Sequence, residues 1–340
     1  MSENQRTSRN IVSKVLVARS LGTEPSRLSI VVPCYNEDDA LDHFWATITP
    51  HLDALGVQWD IVFVNDGSSD ATLLKLVQLH RADHRAKVVD LTRNFGKEAA
   101  MTAGLDHASG DMVVVMDVDL QDPPELLVKM VELWRQGYDV VVARRVSRLD
   151  DTQLKRVSAG NFYRVFNRIS PSKIPADVGD FRLMDKRVVA ALRALPERVR
   201  FMKGLFAWVG YPTAVVDYER PVRQRGMTKF NYWRLWNFAL DGITSFSTLP
   251  LRIWSYLGLF VAFIAFIYGV IIIGRTLILG IDVPGYASLL AAILFLGGMQ
   301  LVGLGIIGEY LGRIYSETKH RPIYLTGGLY GFAPDEGEQK

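Results

Sequence analysis

The chain has 340 residues, 49% hydrophobic and 22% charged, with a formal net charge of +3. So small a net charge gives no ground for a nucleic-acid partner. The single cysteine, Cys34, excludes an intramolecular disulfide and fits cytosolic exposure of the soluble part, where it reads as a small buried hydrophobe at a strand end. The averages hide two unlike parts: up to about residue 250 the composition is that of a soluble protein, and from Ile253 onward it turns apolar.

Residues 1–27 read as a polar N-terminal arm, because the short apolar stretch 11–21 is broken by Lys14 and Arg19 and lacks the core of a signal peptide. A β-branched run over 27–33 predicts a strand ending at Pro33, and helical periodicity follows over 38–55. The alternation continues with strand 58–64, helix 70–80, strand 86–91, helix 97–108 and strand 111–116. A helix over 123–136, entered through Pro123 and Pro124, and a strand over 138–143 complete it. Strands alternating with helices of about 10–15 residues imply βαβ units and a mainly parallel sheet. Continuous apolar strands agree, because parallel strands are buried on both faces.

In such a sheet, ligands sit beyond the carboxyl ends of the strands. Each expected strand here ends in polar residues: Tyr35, Asn36 and Glu37 after the first, 65–70 (Asn-Asp-Gly-Ser-Ser-Asp) after the second, and 92–97 (Thr-Arg-Asn-Phe-Gly-Lys) after the third. The fourth is followed by 117–122 (Asp-Val-Asp-Leu-Gln-Asp) and the fifth by Arg144 and Arg145. Their convergence on one edge is the main sign of a site.

Asp117 and Asp119 are two apart, so in extended chain their carboxylates point the same way. Such hard oxygen ligands suit Mg²⁺ or Mn²⁺ shared with phosphate oxygens, a cation that would neutralise a departing diphosphate. Asp122 reads instead as a cap for the helix at Pro123. Ser69 or Asp70 is expected to cap the next helix, while Asp66 can accept from a nucleobase N–H and Glu37 from a ribose hydroxyl. Arg144, Arg145 and Arg148, and then Arg220, Arg223, Arg225 and Lys229, form two basic groups whose forked or ammonium heads match phosphate oxygens. Placed around a carboxylate pair and near a membrane boundary, they point to an anionic lipid headgroup.

Residues 229–252 interleave Trp233, Trp236, Phe238 and Phe246 with Arg234, Asp241 and Arg252, as segments lying at a lipid–water boundary do. Uncharged runs at 253–274 and 283–308 each supply the roughly 20 apolar residues needed to cross a bilayer, and their short connector makes an antiparallel hairpin. Arg252 precedes the hairpin and Arg313, Lys319, His320 and Arg321 follow it, whereas the connector has Arg275 balanced by Asp282. The positive-inside rule then puts both flanks and the soluble part in the cytoplasm. Gly303, Gly305 and Gly308 fit a dinucleotide fingerprint, but they lie inside an apolar run with no strand before them, so they read as helix-packing residues.

Taken together, 31–37 (Val-Val-Pro-Cys-Tyr-Asn-Glu), 65–70, 117–125 with its Asp-Val-Asp-Leu-Gln-Asp-Pro-Pro-Glu run, 178–185 (Val-Gly-Asp-Phe-Arg-Leu-Met-Asp) and the paired spans resemble the polyprenyl-phosphate glycosyltransferases. These are GT-A enzymes of glycosyltransferase family 2, similar to dolichol-phosphate-mannose synthase, and the 178–185 stretch most resembles the bacterial bactoprenol (undecaprenyl-phosphate) glucosyltransferases. The resemblance covers about 28–324 and includes Arg220, Arg223, Gly226, Thr228, Lys229 and Phe230, the last standing where the family often has tyrosine.

The resemblance implies a GT-A fold, a Rossmann-like, mostly parallel α/β sheet with flanking helices, followed by interfacial amphipathic helices and two transmembrane helices. The expected divisions are an arm over 1–27, a catalytic domain over 28–228, juxtamembrane helices over 229–252, a hairpin over 253–312 and a cytoplasmic tail over 313–340. It implies an inverting transfer of a hexose, glucose from UDP-glucose, onto polyprenyl phosphate at the cytoplasmic face of the inner membrane. Pro33, Tyr35, Glu37, Asp66, Lys97, Asp117, Val118, Asp119 and Gln121 would bind the nucleotide sugar, with Asp117 and Asp119 holding Mg²⁺ or Mn²⁺. Arg144, Arg148, Arg220, Arg223 and Lys229 would hold phosphate. Asp119, Asp180 and Arg144 would serve catalysis, Asp180 either as a base or as a sugar ligand. The expected partners are the nucleotide sugar, the lipid, the membrane, a separate lipid-sugar flippase and further copies of the chain, a tetramer resting on the resemblance alone. Rival readings are a mannosyltransferase using GDP-mannose and a membrane scaffold with a vestigial nucleotide site. A processive polysaccharide synthase is disfavoured because the Gln-x-x-Arg-Trp motif is missing; the only glycine fingerprint lies in the apolar run, which disfavours an oxidoreductase.

Overall fold

The computed structural model describes residues 26–146, 178–219, 247–279 and 285–332. Arg148, Arg220, Arg223 and Lys229, and most of the N-terminal arm and of the interfacial stretch, lie outside the described residues. The first unit contains β1 (Arg27–Cys34), α1 (Asp38–Asp53), β2 (Gln58–Asn65), α2 (Thr72–Ala82), β3 (Ala86–Leu91), α3 (Lys97–His107), β4 (Met112–Val115), α4 (Leu126–Arg135) and β5 (Val140–Arg145). It continues with β6 (Val178–Asp185), α5 (Lys186–Arg193), α6 (Met202–Trp208) and β7 (Thr213–Tyr218). The second unit holds α7 (Leu249–Leu279) and α8 (Tyr286–Thr318), after which β8 (Thr326–Tyr330) belongs again to the first.

The strands form one sheet in the order β7-β5-β6-β4-β1-β2-β3-β8. β4, β1, β2 and β3 run parallel, as their continuous apolar runs predict. β5 does not sit beside β4: the antiparallel β6 separates them, and because it is antiparallel to both, β4 and β5 still point the same way. The ends of β1, β2, β4 and β5 therefore reach the same edge, and β6 starts there. β6 was not predicted as a strand, because Gly179, Asp180 and Arg182 break any apolar alternation; two strand neighbours supply its hydrogen bonds instead.

Both faces of the sheet are covered. On β2, Ile61 and Phe63 join a core with Phe44, Ile48 and Leu52 of α1 and Leu127, Met130 and Trp134 of α4. The alternate Val62 and Val64 pack with Val89, Leu91, Ala100 and Ala103, the period-two signature of a strand buried on both sides. α3 lies close against this second face, since a Cβ on Gly104 would collide with Val31. At the opposite edge of the sheet, buried Asp60 pairs with Arg27 and, at 2.9 Å, with Lys87, tying β1, β2 and β3 together.

The helix expected over 123–136 begins at Leu126, with Leu126 and Leu127 amides bonded to the Pro123 and Pro124 carbonyls. Asp122 accepts the Tyr218 hydroxyl at 2.5 Å, linking this turn to the end of β7. Asp70 does serve the start of α2, accepting the Thr72 amide at 3.0 Å.

In the second unit, α7 and α8 have 31 and 33 residues, or about 46 and 50 Å at 1.5 Å per residue, against about 30 Å of hydrocarbon. Within them, Leu249–Ile272 and Phe295–Thr318 are long and apolar enough to cross a membrane, with mean hydropathy 2.3 and 1.2. α8 runs ten residues beyond the uncharged run that ends at Gly308, six beyond the expected end of the hairpin at 312, and within this extension Glu309 and Arg313 pair at 3.6 Å. Gly303 lies against the indole of Trp254 on α7, while a Cβ on Gly305 or Gly308 would meet nothing among the described residues. Among the described residues, Gly303 is the one of the three that makes the helix contact expected of them. The Tyr310 hydroxyl donates to the Ser247 carbonyl at 2.6 Å, joining the outer ends of the two helices.

The stretch read as a tail contributes to the sheet. β8 pairs antiparallel with β3, Tyr324 donates to Asp106 at 2.9 Å, and Tyr324 and Phe332 pack on the second core. Two glycines in β8 hide it from any propensity argument.

Candidate active site

A cleft of about 390 Å³ opens at the edge where β1, β2 and β4 end. It is lined by Pro33, Cys34, Tyr35, Glu37, Asp66, Asn94, Gly96, Lys97, Ala100, Asp117, Val118 and Asp119. Of the nine residues expected to bind the nucleotide sugar, all but Gln121 line it.

The loops that build the cleft are stitched to each other. Asn36, with left-handed φ of 54°, accepts the Ser69 amide at 2.8 Å, and its own amide donates to Ser68 Oγ at 3.0 Å. The Glu37 amide donates to Thr72 Oγ1 at 2.9 Å. Gly67 is also left-handed, with φ of 62°, and a Cβ there would collide with the backbone of Arg93 and Asn94. Only glycine lets the β2–α2 loop approach the β3–α3 loop this closely.

Asp66 is buried, and its carboxylate accepts the Phe95 amide at 2.7 Å and the Gly96 amide at 3.0 Å. Burial lifts its carboxyl above the usual range in spite of these two bonds. It thus fastens the entry to α3 as well as facing the cleft. Each carboxylate oxygen has a second lone pair, so the fastening leaves acceptor capacity toward a base.

The fixed entry to α3 sets Lys97. Its ammonium lies 2.7 Å from Asp117 Oδ1 and 2.9 Å from Asp180 Oδ2. The sheet register explains how one lysine reaches both. The last paired positions of β4 and β6 are Val115 and Arg182; two residues beyond them, on adjacent antiparallel chains, stand Asp117 and Asp180. Burial would raise the Asp180 carboxyl, but Lys97, Lys203 and Arg182 outweigh it and hold it below the usual carboxylate range. Buried Arg182 also steadies the start of β6, donating to the Gly179 carbonyl at 2.7 Å and lying 3.8 Å over the Phe206 ring.

After Asp119 the chain turns sharply at Leu120, whose φ is 51°, and the Gln121 amide donates to Asp119 Oδ1 at 3.1 Å. The side-chain nitrogen of Gln121 is buried and has no hydrogen-bond partner among the described residues. Among the described residues no cluster of three or more His, Cys, Asp or Glu could cage a metal. β4 ends at Val115 and residues 118–119 form a turn, so the extended chain expected across Asp117 and Asp119 is not found; both carboxylates nevertheless line the cleft, and Mg²⁺ or Mn²⁺ uses such a pair when diphosphate oxygens and water complete its shell. The residues fit a cation held jointly with a diphosphate, at Asp117 and Asp119.

Arg144 stands at the end of β5, outside the cleft lining, in a two-point pair with Asp217 of β7. Sequence reasoning did not single out Asn94, Ala100, Arg182 or Asp217. Asn94 and Gly96 sit in a loop that had been noted; nothing local marks Arg182 or Asp217, whose partners come from other strands and helices.

Residues 29–193 match the family described as glycosyl transferase family 2, and residues 249–314 match the GtrB C-terminal hairpin. An uncharacterized glycosyltransferase of Synechocystis sp. is 54% identical over 304 residues, 89% of this chain and 96% of that one. The bactoprenol glucosyl transferase of Shigella phage SfV is 52% identical over 299 residues, covering 88% and 97%. The prophage bactoprenol glucosyl transferase homolog of Escherichia coli is 51% identical over 299 residues, covering 88% and 98%. Identity at this level over nearly the whole length, hairpin included, shows that the chain is a glycosyltransferase of family 2 and belongs with the bactoprenol glucosyl transferases.

Proposed function

We propose that the protein transfers glucose from UDP-glucose, with inversion, to undecaprenyl or a similar polyprenyl phosphate at the cytoplasmic face of the membrane. The observation that carries this reading is one cleft joining Asp66, Lys97, Asp117 and Asp119, in a chain whose relatives over nearly its full length are named bactoprenol glucosyl transferases.

Tyr35, Glu37 and Asp66 would hold the nucleoside, and Asp117 and Asp119 the cation with the diphosphate. The cation, when bound, neutralises charge on the leaving diphosphate. Lys97 adds a second positive charge there. A phosphate monoester has its second pKa near 6, so the acceptor is mostly dianionic at neutral pH and needs little help to attack. The protein's share is then alignment and electrostatic stabilisation. Asp180, held ionised by Lys97, suits a ligand for the sugar better than a base. Arg144, with Arg148, Arg220, Arg223 and Lys229, would receive the acceptor phosphate.

Orientation follows the flanking charges: Arg252 and then Arg313, Lys319 and Arg321 lie on the outer flanks of the hairpin. β8 supports the same reading, because after α8 the chain re-enters the sheet that it left at β7. Two helices are too few to carry a sugar headgroup across, so a separate flippase would take the product onward, and the hairpin would assemble with further copies of itself.

The test is to incubate the detergent-purified protein with undecaprenyl phosphate, Mg²⁺ or Mn²⁺, and single nucleotide sugars. Mass spectrometry then looks for a lipid-phosphate-sugar. Product from UDP-glucose alone, abolished by EDTA and by Asp119→Ala, is expected. Product only from GDP-mannose would replace the sugar, and no product from any donor, with nucleotide still bound, would favour the scaffold.

A further inference from the structure

Lys97 contacts both oxygens of the carboxylate assigned to the cation: its ammonium lies 2.7 Å from Asp117 Oδ1 and 2.9 Å from Asp117 Oδ2. The same ammonium reaches Asp180 at 2.9 Å. One positive charge therefore stands between two carboxylates that adjacent antiparallel strands bring together, and that would otherwise repel each other. The root of the side chain is fixed, because Asp66 fastens the amides of Phe95 and Gly96 just before it. The side chain itself is 44% exposed and lines the cleft, so its head has room to turn toward a ligand there.

We propose that Lys97 makes divalent-cation binding at Asp117 and Asp119 conditional on a nucleoside diphosphate. A cation that arrives alone meets a carboxylate already neutralised, and must settle a few ångströms from an ammonium that repels it. A diphosphate changes the balance, because its anionic oxygens offer Lys97 new partners. Lys97 then turns to the diphosphate, Asp117 is released to the cation, and cation and nucleotide are held as one unit. The order prevents a free metal ion from occupying the cleft without substrate. This inference rests on the reading of Asp117 and Asp119 as ligands of a metal diphosphate.

The experiment measures Mn²⁺ binding to the full-length protein in detergent, by electron paramagnetic resonance or calorimetry. Each protein is titrated alone, with saturating UDP and, separately, with saturating GDP. For the wild type, Mn²⁺ alone is expected to bind weakly, and at least about tenfold more tightly with the diphosphate that the site accepts, the same factor by which Mn²⁺ tightens that diphosphate. Lys97→Met keeps the length and removes the charge. It is expected to bind Mn²⁺ alone about tenfold more tightly than the wild type and to show a nucleotide enhancement smaller by about the same factor, the remainder coming from the diphosphate oxygens themselves. Lys97→Arg should retain the wild-type pattern. Thermal melting confirms that each variant is folded, and Lys97→Gln replaces Lys97→Met should the latter fail. Equal affinity for Mn²⁺ alone in the wild type and the folded neutral variant overturns the gate while leaving the metal reading intact. No Mn²⁺ binding by any protein, with or without nucleotide, overturns the metal reading and the gate with it.

Discussion

The guanidinium of Arg144 and the carboxylate of Asp217 meet at two points, 2.6 Å from Nε to Oδ1 and 2.9 Å from Nη2 to Oδ2, at facing register positions of β5 and β7. Two parallel bonds fix the plane of the fork. Asp217 thereby aims Arg144, the residue expected to meet the acceptor phosphate. Asp217→Asn should raise the KM for polyprenyl phosphate about tenfold with a smaller change in kcat. Both partners are about half exposed, so the loss of fold stability should stay below about 1 kcal/mol. Initial rates against lipid concentration decide it; full activity in Arg144→Ala would remove the phosphate role altogether.

Asp180 is held ionised by its neighbours, Lys97 foremost, against the pull of burial. An acid of lowered pKa is a poor proton acceptor near neutrality. Asp180→Asn is therefore expected to cost about tenfold in kcat, uniformly between about pH 6 and 8. A far larger loss, together with disappearance of an acid limb from the pH–rate profile, would restore the base.

Glu98, next to Lys97, accepts the Met202 amide at 3.0 Å, and burial pushes its carboxyl up to about 7 from 4.5. A raised folded-state pKa means that the folded protein holds the proton longer. Stability should fall as pH rises from about 4.5 to about 7 and then level off. Glu98→Gln keeps an acceptor for Met202 without the charge. It should stabilise the protein above pH 7, by at most about 3 kcal/mol, and make no difference near pH 4.5. Melting curves across that range test this, and parallel curves for both proteins would contradict it.

Gly67 lies where a methyl group would strike the backbone of Arg93 and Asn94, in a left-handed conformation. Gly67→Ala should destabilise the fold by about 1–3 kcal/mol. Because the same two loops line the cleft, nucleotide affinity should drop as well. Calorimetric titration with UDP reads the second effect; unaltered affinity would show that the loop contact does not shape the site.

In the hairpin, a side chain at Gly303 would strike the indole of Trp254. Gly303→Leu should cost about 1–3 kcal/mol through overpacking, seen as a lower unfolding temperature in detergent. Adding Trp254→Ala should return part of it, since the two changes share one contact. Additive losses in the double variant would place the glycine away from that contact.

Much of the cleft was legible from residue type and position. Asp117 and Asp119 announce themselves because an apolar strand ends in two like charges, and Asp66 because it follows another such strand. Alternating buried runs and helical periodicity located β1 to β5 and α1 to α4 within a few residues. Asp180, by contrast, had a family likeness and no local logic, since nothing in 178–185 reads as a strand.

The sequence by itself determined the strands β1 to β5, the helices α1 to α4 and the two apolar spans, and that polar residues follow those strands. Those properties depend on neighbours a few positions away, through periodicity, turn residues and hydrophobic length. Only the tertiary structure decided that β6 separates β4 from β5, that β8 returns to the sheet edge, and that Lys97 stands between Asp117 and Asp180. Those relations join residues 20 to more than 200 positions apart, and hydrogen-bond pairing between strands, which leaves no periodic trace in either partner, sets them.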